Sequence, residues 1–306
     1  MSENQKTIFI TGSKGFIGRN TVEFFKKDYQ ILEPSHGELD LLCQEDVNKF
    51  FRDHNIDYII HCASVGGNRK QNDSTEVIEK NVRMFFNLAE NREHFKKMIH
   101  LGTGAEYSKG LMPPNVKESD LGNHVPLDYY GFSKYVISKS IKNINNIYCL
   151  RLFGVFGPYE DYSYKFISNS ILKNFLRLPI TIMQNVNFDW LYIDDLMWIM
   201  NYFLTNNSLE NLYNITTGKT TDIVSIAKII NKHSDFESEI KVLNPGLNSE
   251  YSGNNHKLIK EIEKYDFINI EDAIKKLMDY YRSNMNDLDL EIIKQDPYAS
   301  KCTITR

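Results

Sequence analysis

The chain has 306 residues, a formal net charge of −4, 42% hydrophobic and 25% charged residues. That balance is ordinary for a globular protein of one large domain or two linked ones, and it gives no basic field for nucleic acid. Apolar runs such as 8–10 and 59–60 are too short to span a bilayer, and the four cysteines and eight histidines show no metal-ligand spacing.

The polar start, Met1–Lys6, carries no signal-peptide pattern and runs into a β-branched strand at Thr7–Ile10. A helix is expected over Phe16–Lys27, a second strand over Tyr29–Leu32 stopped by Pro34, a helix over Asp46–Asn55, and a strand over Tyr58–His61. A long amphipathic helix follows at Thr75–Asn91. Then come a strand at Lys97–Leu101, a helix at Leu127–Asn143 and a strand at Ile147–Leu152. This alternation predicts an α/β, Rossmann-type doubly wound parallel sheet with its site at the carboxyl ends of the strands. After Gly157-Pro158 the pattern loosens. Helices are expected at Phe166–Leu178, Asp194–Thr205 and Thr221–His233, and a strand at Leu212–Ile215. The expected organisation is a dinucleotide-binding domain over 1–160 with later returns near 188–215, a smaller C-terminal substrate lobe over 161–282, and a polar tail over 283–306. Free thiols point to a reducing cytoplasm.

Gly12-x-x-Gly15-x-x-Gly18 follows the first strand and opens the first helix, the context a dinucleotide cradle needs. Gly12 serves the turn, Gly15 the close approach of a pyrophosphate and Gly18 the packing of helix on sheet, with Phe16 and Ile17 at the helix start. Glu33 stands where an acid would hold an unphosphorylated ribose, but Pro34 ends that strand. Ser35 and His36 lie where a 2′-phosphate would sit. The cations Lys14 and Arg19 flank the cradle and favour NADP(H), with NAD(H) the alternative. Cys62, Ala63 and Ser64 end the third strand beside the cofactor path, and His61 reads as a packed strand histidine. Asn81 is either a bridge near the site or a helix-surface residue. Asp40, with Leu41, is placed at the adenine edge or as a loop cap.

Tyr130 and Lys134 are four apart and share one helix face. The ammonium is expected to draw the tyrosine pKa towards neutrality and to hold the nicotinamide ribose, so Tyr130 can exchange a proton with a substrate oxygen as hydride moves. Tyr135 and Lys139 match the same spacing but lie roughly 140° around the helix, so both pairs cannot face the cofactor. Thr103, at a strand end, is expected to orient the substrate oxygen; capping its own turn is the alternative.

As a set, TGSKGFIG, Leu39-Asp40-Leu41, HCAS at 61–64, Asn81-Val82, Thr103, YGFSK, LRLFGVFGP at 150–158 and FDWLYIDDL at 188–196 resemble the extended short-chain dehydrogenase/reductases. The likeness covers roughly residues 6–230. It implies Thr103, Tyr130 and Lys134 as the catalytic trio, Phe153 among the cofactor contacts, a nucleotide-diphosphate sugar as substrate, and a homodimer built on the Thr75–Asn91 and Tyr130 helices. Val65-Gly66-Gly67 and the Leu101-Gly102-Thr103 strand end resemble the GDP-L-fucose synthase-like 4-keto reductases, which use NADPH. Three departures matter. Dehydratases of the family carry Asp-Glu where Gly104-Ala105 stand here. The fucose-synthase Cys and His for epimerisation are replaced by Ala105 and, in a loose alignment, Lys165. The Arg that holds a substrate phosphate is replaced near Phe188, which leaves Arg177, Lys165 or Lys173 as candidates, or else a different nucleotide. The resemblance therefore implies simple C4-ketone reduction for surface-polysaccharide synthesis, without C3/C5 epimerisation. The alternatives are a 4-epimerase with tightly bound NAD and a non-catalytic cofactor sensor.

Overall fold

The structure is a computed structural model and describes residues 5–68, 73–302 and 304. Met1–Asn4, read above as part of a polar start, lie outside them, as do Thr303, Thr305 and Arg306 of the expected tail. In chain order, β1 (Thr7–Thr11), α1 (Phe16–Phe25), β2 (Gln30–Leu32), α2 (Gln44–Asp53), β3 (Tyr58–His61), α3 (Glu76–Ala89), β4 (Lys97–Thr103), α4 (Tyr129–Ile141) and β5 (Ile147–Leu152) alternate as the periodicity predicts. β1 is buried at every position, which is why it reads as one unbroken apolar run. α4 starts where it does because the Asp128 carboxylate accepts the Gly131 N–H at 2.6 Å.

β9 (Leu212–Ile215) completes a parallel six-stranded sheet in the order β2-β1-β3-β4-β5-β9. Alternate residues feed opposite faces. Phe9, Ile59 and Met98 pack with Val47, Phe85 and Ile137 of α2, α3 and α4. Ile8, Ile10, Ile60 and Ile99 pack with Phe25 of α1 and with Leu196 and Ile199 of α6 (Ile193–Thr205). The strand order reverses about β1, so the β1 and β3 ends open the crevice where such sheets bind ligands.

The rest of the chain builds the second lobe. β6 (Gly154–Phe156), β8 (Asn187–Tyr192) and β10 (Thr220–Asp222) form one small sheet, and β7 (Ile180–Asn185) pairs in parallel with β11 (Ile240–Leu247). α5 (Phe166–Phe175), α7 (Ile223–Lys232) and α9 (Ile270–Asn284) pack together beside them, and α8 (His256–Ile262) lies against β9. One continuous core runs from Ile8 and Ile10 of the large sheet to Ile274 and Met278 of α9.

The stretch expected as a polar tail is folded back. Two one-turn helices, α10 (Glu291–Lys294) and α11 (Pro297–Ser300), bury Ile293 and Tyr298 in that same core. Asp296 pairs with the buried Lys173 of α5 at 2.6 Å. Too few apolar residues anchor this stretch for a periodicity to show. No helix among the described residues is long and apolar enough to cross a membrane.

Candidate active site

A cleft of about 650 Å³ runs along the carboxyl ends of β1 and β3. Gly12, Lys14 and Gly15 line it, as do Ser35, His36, Asp40, Leu41, Cys62, Ala63, Ser64 and Val65. The backbone shapes it. Gly12 has φ +65°, and a Cβ there would stand 2.7 Å from the Ala63 nitrogen; a Cβ at Gly18 would run into the Gly12 carbonyl. Gly15 is the α1 N-cap and brings no side-chain cap, so the first-turn N–H groups at Phe16 and Ile17 stay free for an anion. This close-approach cradle at a helix start fits a dinucleotide pyrophosphate.

Lys80 and Met84 of α3 also line the cleft. Sequence reasoning missed both; Lys80 directly precedes Asn81, the residue it did single out. Arg19 does not line it. Its guanidinium lies 5.5 Å from the Tyr159 ring centroid and donates to the Lys14 carbonyl at 3.0 Å, so Lys14 alone of the two flanking cations faces the cleft. Asp40 accepts the Leu42 N–H at 2.9 Å and lies 3.8 Å from His36, so it serves as a loop cap while lining the cleft. Asn81 is buried, not on the helix surface. Its amide exchanges two hydrogen bonds with the Val65 backbone and donates to Ser133, so it braces the loop after β3 against α4. His61 is a packed strand histidine as read: Nδ1 sits 2.7 Å from the Thr11 hydroxyl, and burial drives its pKa down to about 3.

Beside the cleft, next to its lining residue Ser64, the Lys134 ammonium lies 5.9 Å from the Tyr130 ring centroid. Lys134 is buried and donates to the Leu101 carbonyl at 2.9 Å. Burial lowers its pKa to about 8, against the opposing pull of the Glu106 charge. The competing pair faces outwards: Lys139 is exposed and binds the Leu121 carbonyl at 3.2 Å. Tyr130 departs from expectation. Burial and the Glu106 charge push it up to about 12 rather than towards neutrality, although Ser64 pulls the other way. A phenol so placed keeps its proton at neutral pH and is suited to give it. Gly67, at φ +71°, packs on that ring; a Cβ there would meet it at 2.8 Å. The N–H of Gly67 is held by Asp73, and Gly66 turns beside the same carboxylate.

Thr103 ends β4 and caps the turn after it, its hydroxyl accepting the Ala105 N–H at 3.2 Å. Beneath lies a fully buried ion pair, Arg151 to Glu106 at 2.5 Å. Glu106 also takes the Thr103 N–H and the Ser138 hydroxyl, so the β4 end that carries Thr103 is tied to α4, which carries Tyr130 and Lys134. Ala105 is fully buried and presents nothing to the cleft. Phe153 lies outside the cofactor cleft, in an aromatic wall with Tyr107, Tyr251 and Phe188. Tyr251 went unread in the sequence.

The three candidate phosphate-binding cations lie on α5 or at its ends. Arg177 stacks on Phe236 before β7, a six-residue strand of roughly 20 Å that leads to Phe188. Lys173 is buried on Asp296, and Lys165 is exposed at the α5 N-cap near Glu160.

Residues 8–216 match the model of the NAD dependent epimerase/dehydratase family. The chain is similar to the GDP-L-colitose synthase of Yersinia pseudotuberculosis, 23% identical over 92% of this chain and 99% of that one. It is similar to the ADP-L-glycero-D-manno-heptose-6-epimerase of Brachyspira hyodysenteriae, 24% identical over 88% and 96%. Among solved structures it resembles a GDP-mannoheptose C4 reductase from Campylobacter jejuni with NADP bound. The TM-score is 0.79 at 21% identity, covering 92% of this chain and all of that one.

Proposed function

The chain belongs to the NAD dependent epimerase/dehydratase family, and from that premise we propose that it reduces the C4 ketone of a nucleotide-diphosphate 4-keto-6-deoxy sugar with NADPH. At the coarser level it is an NAD(P)-dependent nucleotide-sugar-modifying enzyme. One observation carries the finer reading: a proton-holding Tyr130 faces the buried Lys134 beside the cleft, while positions 104 and 105 are Gly and Ala. With no acid, base or thiol at those two positions, the residues that the resemblance assigns to water elimination and to epimerisation are missing there, and Tyr130 is the proton donor of this reading.

When bound, the reduced nicotinamide supplies the hydride to the ketone carbon. Thr103 hydrogen-bonds the ketone oxygen and holds it towards Tyr130. Tyr130 gives that oxygen its phenolic proton as negative charge develops there. Lys134, charged below pH about 8, steadies the phenolate left behind. Lys14, Ser35 and His36 on the cleft wall favour the 2′-phosphorylated cofactor. In this reading the enzyme works in the cytoplasm as a homodimer through α3 and α4, and its product serves surface-polysaccharide synthesis.

The test is NADPH absorbance with GDP-, CDP-, dTDP- and UDP-linked 4-keto-6-deoxy sugars. Stoichiometric oxidation with one of them is expected. Isomerisation of a sugar with no added cofactor and no oxidation would replace the reading with a 4-epimerase.

A further inference from the structure

The sheet face under α2, α3 and α4 changes character along its strands. Phe9, Ile59, Met98 and Ile147 are register partners across β1, β3, β4 and β5, and all four are apolar and fully buried. The next row on that face, nearer the carboxyl ends, is Thr11, His61, His100 and Cys149. These four are buried too. An imidazole in such a layer costs desolvation, which a hydrogen bond offsets. His100 has no hydrogen-bond partner among the described residues, whereas His61 has Thr11.

Thr11 and His61 are the last partners of the β1–β3 ladder, and Gly12 and Ala63 beyond them line the cofactor cleft. The two chains touch there: a Cβ on Gly12 would stand 2.7 Å from the Ala63 nitrogen. The Thr11 hydroxyl sits in this seam. It accepts the Ala63 N–H at 3.1 Å and lies 2.7 Å from His61 Nδ1. The Thr11 carbonyl accepts the Cys62 N–H at 3.2 Å. A threonine side chain has three staggered rotamers, and only one that faces both partners can make both hydroxyl bonds. We propose that His61 is a positioning residue: its imidazole locks the Thr11 rotamer that holds Ala63 against the glycine cradle, and so sets the width of the cofactor cleft. Either neutral tautomer serves, because the hydroxyl can give its proton to Nδ1 or accept one from it. Burial drives the His61 pKa to about 3, so the ring is neutral around pH 7. The inference rests on the NADPH part of the reading above and not on the sugar.

Two neighbouring strands offer the same cut for the test. His61→Phe and His100→Phe each replace a buried imidazole by a ring without nitrogens. NADPH binding to the full chain, titrated by fluorescence, should weaken about 3- to 10-fold in His61→Phe, the scale of one hydrogen bond, and stay within about 2-fold of wild type in His100→Phe. A general loosening of the sheet would weaken both. Thr11→Val should weaken binding at least as much as His61→Phe, and Thr11→Ser, which keeps the hydroxyl, should restore it. In the Thr11→Val background His61→Phe should add little, as expected of two groups acting as a unit. Without cofactor, the peptide carrying Ala63 should exchange its amide hydrogens faster in His61→Phe and Thr11→Val than in wild type. Where phenylalanine does not fit at position 61, His61→Leu removes the nitrogens with a smaller side chain and carries the same expectations. Unchanged NADPH affinity without the His61 imidazole, an equal loss in His100→Phe, or additive losses from Thr11 and His61 would overturn the inference. A wild type that binds NADPH but reduces no sugar in the panel overturns the ketoreductase reading alone.

Discussion

From Gly12 to Gly18 the cofactor side of the cleft is made of backbone: a turn at positive φ, a bare helix start and two glycines whose neighbours leave no room for a Cβ. The side we assign to substrate is made of side chains. Thr103, Tyr130, Phe153, Phe188 and Tyr251 arrive from five separate segments, and they meet because the Glu106–Arg151 pair and the bridge from Tyr251 to Phe188 of β8 hold those segments together. A backbone site is a local property of seven consecutive residues. A side-chain site is a property of the whole fold, so the two should fail differently.

The sharpest contrast is at Tyr130. Tyr130→Phe should cut turnover by about 10²-fold or more, the scale of general acid catalysis, while NADPH binding measured by fluorescence stays intact. Tyr135→Phe, on the outward face, should leave turnover unchanged. The reverse pattern would move the site to the other face of α4. Next comes the support beneath the trio. Glu106→Gln strands the Arg151 charge in a fully buried site, and such a loss costs about 3–5 kcal/mol. Denaturant unfolding should show it; an unchanged midpoint would mean that the pair does not anchor the strand end.

The third prediction concerns pH. Lys134 titrates near 8 and Tyr130 near 12, so the protonated pair that reduction needs is present below pH 8. The kcat/KM for reduction should be level around neutrality and fall as pH rises through about 8. A profile that stays level to pH 10 would show that the Lys134 charge is not required. The smallest effect belongs to Arg19. Because it rests on Tyr159 outside the cleft, Arg19→Ala should shift affinity for NADPH and NADH alike by less than about 0.5 kcal/mol, as exposed substitutions do. A selective loss of NADPH binding would return Arg19 to the 2′-phosphate.

The same contrast explains what could be read from the residues alone. The sheet through β5, the glycine cradle and the Tyr130–Lys134 pair are local patterns: buried strands of four to seven residues, a fixed glycine spacing, an i,i+4 face. Beyond Gly157 the reasons differ: β7 and β8 are separated only by Val186 and mix buried with half-buried positions, β10 has three residues, and β11 is mostly exposed. Tyr251 follows such a strand, and the space for its phenol is left by Gly104, some 150 residues earlier in the chain. Arg19 shows the same limit. Charge and proximity in sequence put it beside the cradle, but its place on α1 turns it towards Tyr159 and Glu23. The folded-back segment from 285 to 300 is polar apart from a few anchors, of which Ile293 and Tyr298 are buried.

The most direct test of the account follows the hydride. Wild-type enzyme would be given NADPH deuterated at the transferable C4 position of the nicotinamide, together with the 4-keto sugar it accepts, and the product read by NMR. The account predicts one deuterium at C4 of the sugar for each NADPH oxidised, with C3 and C5 unchanged. Product formed without cofactor oxidation and without deuterium at C4, or inverted at C3 or C5, would contradict it.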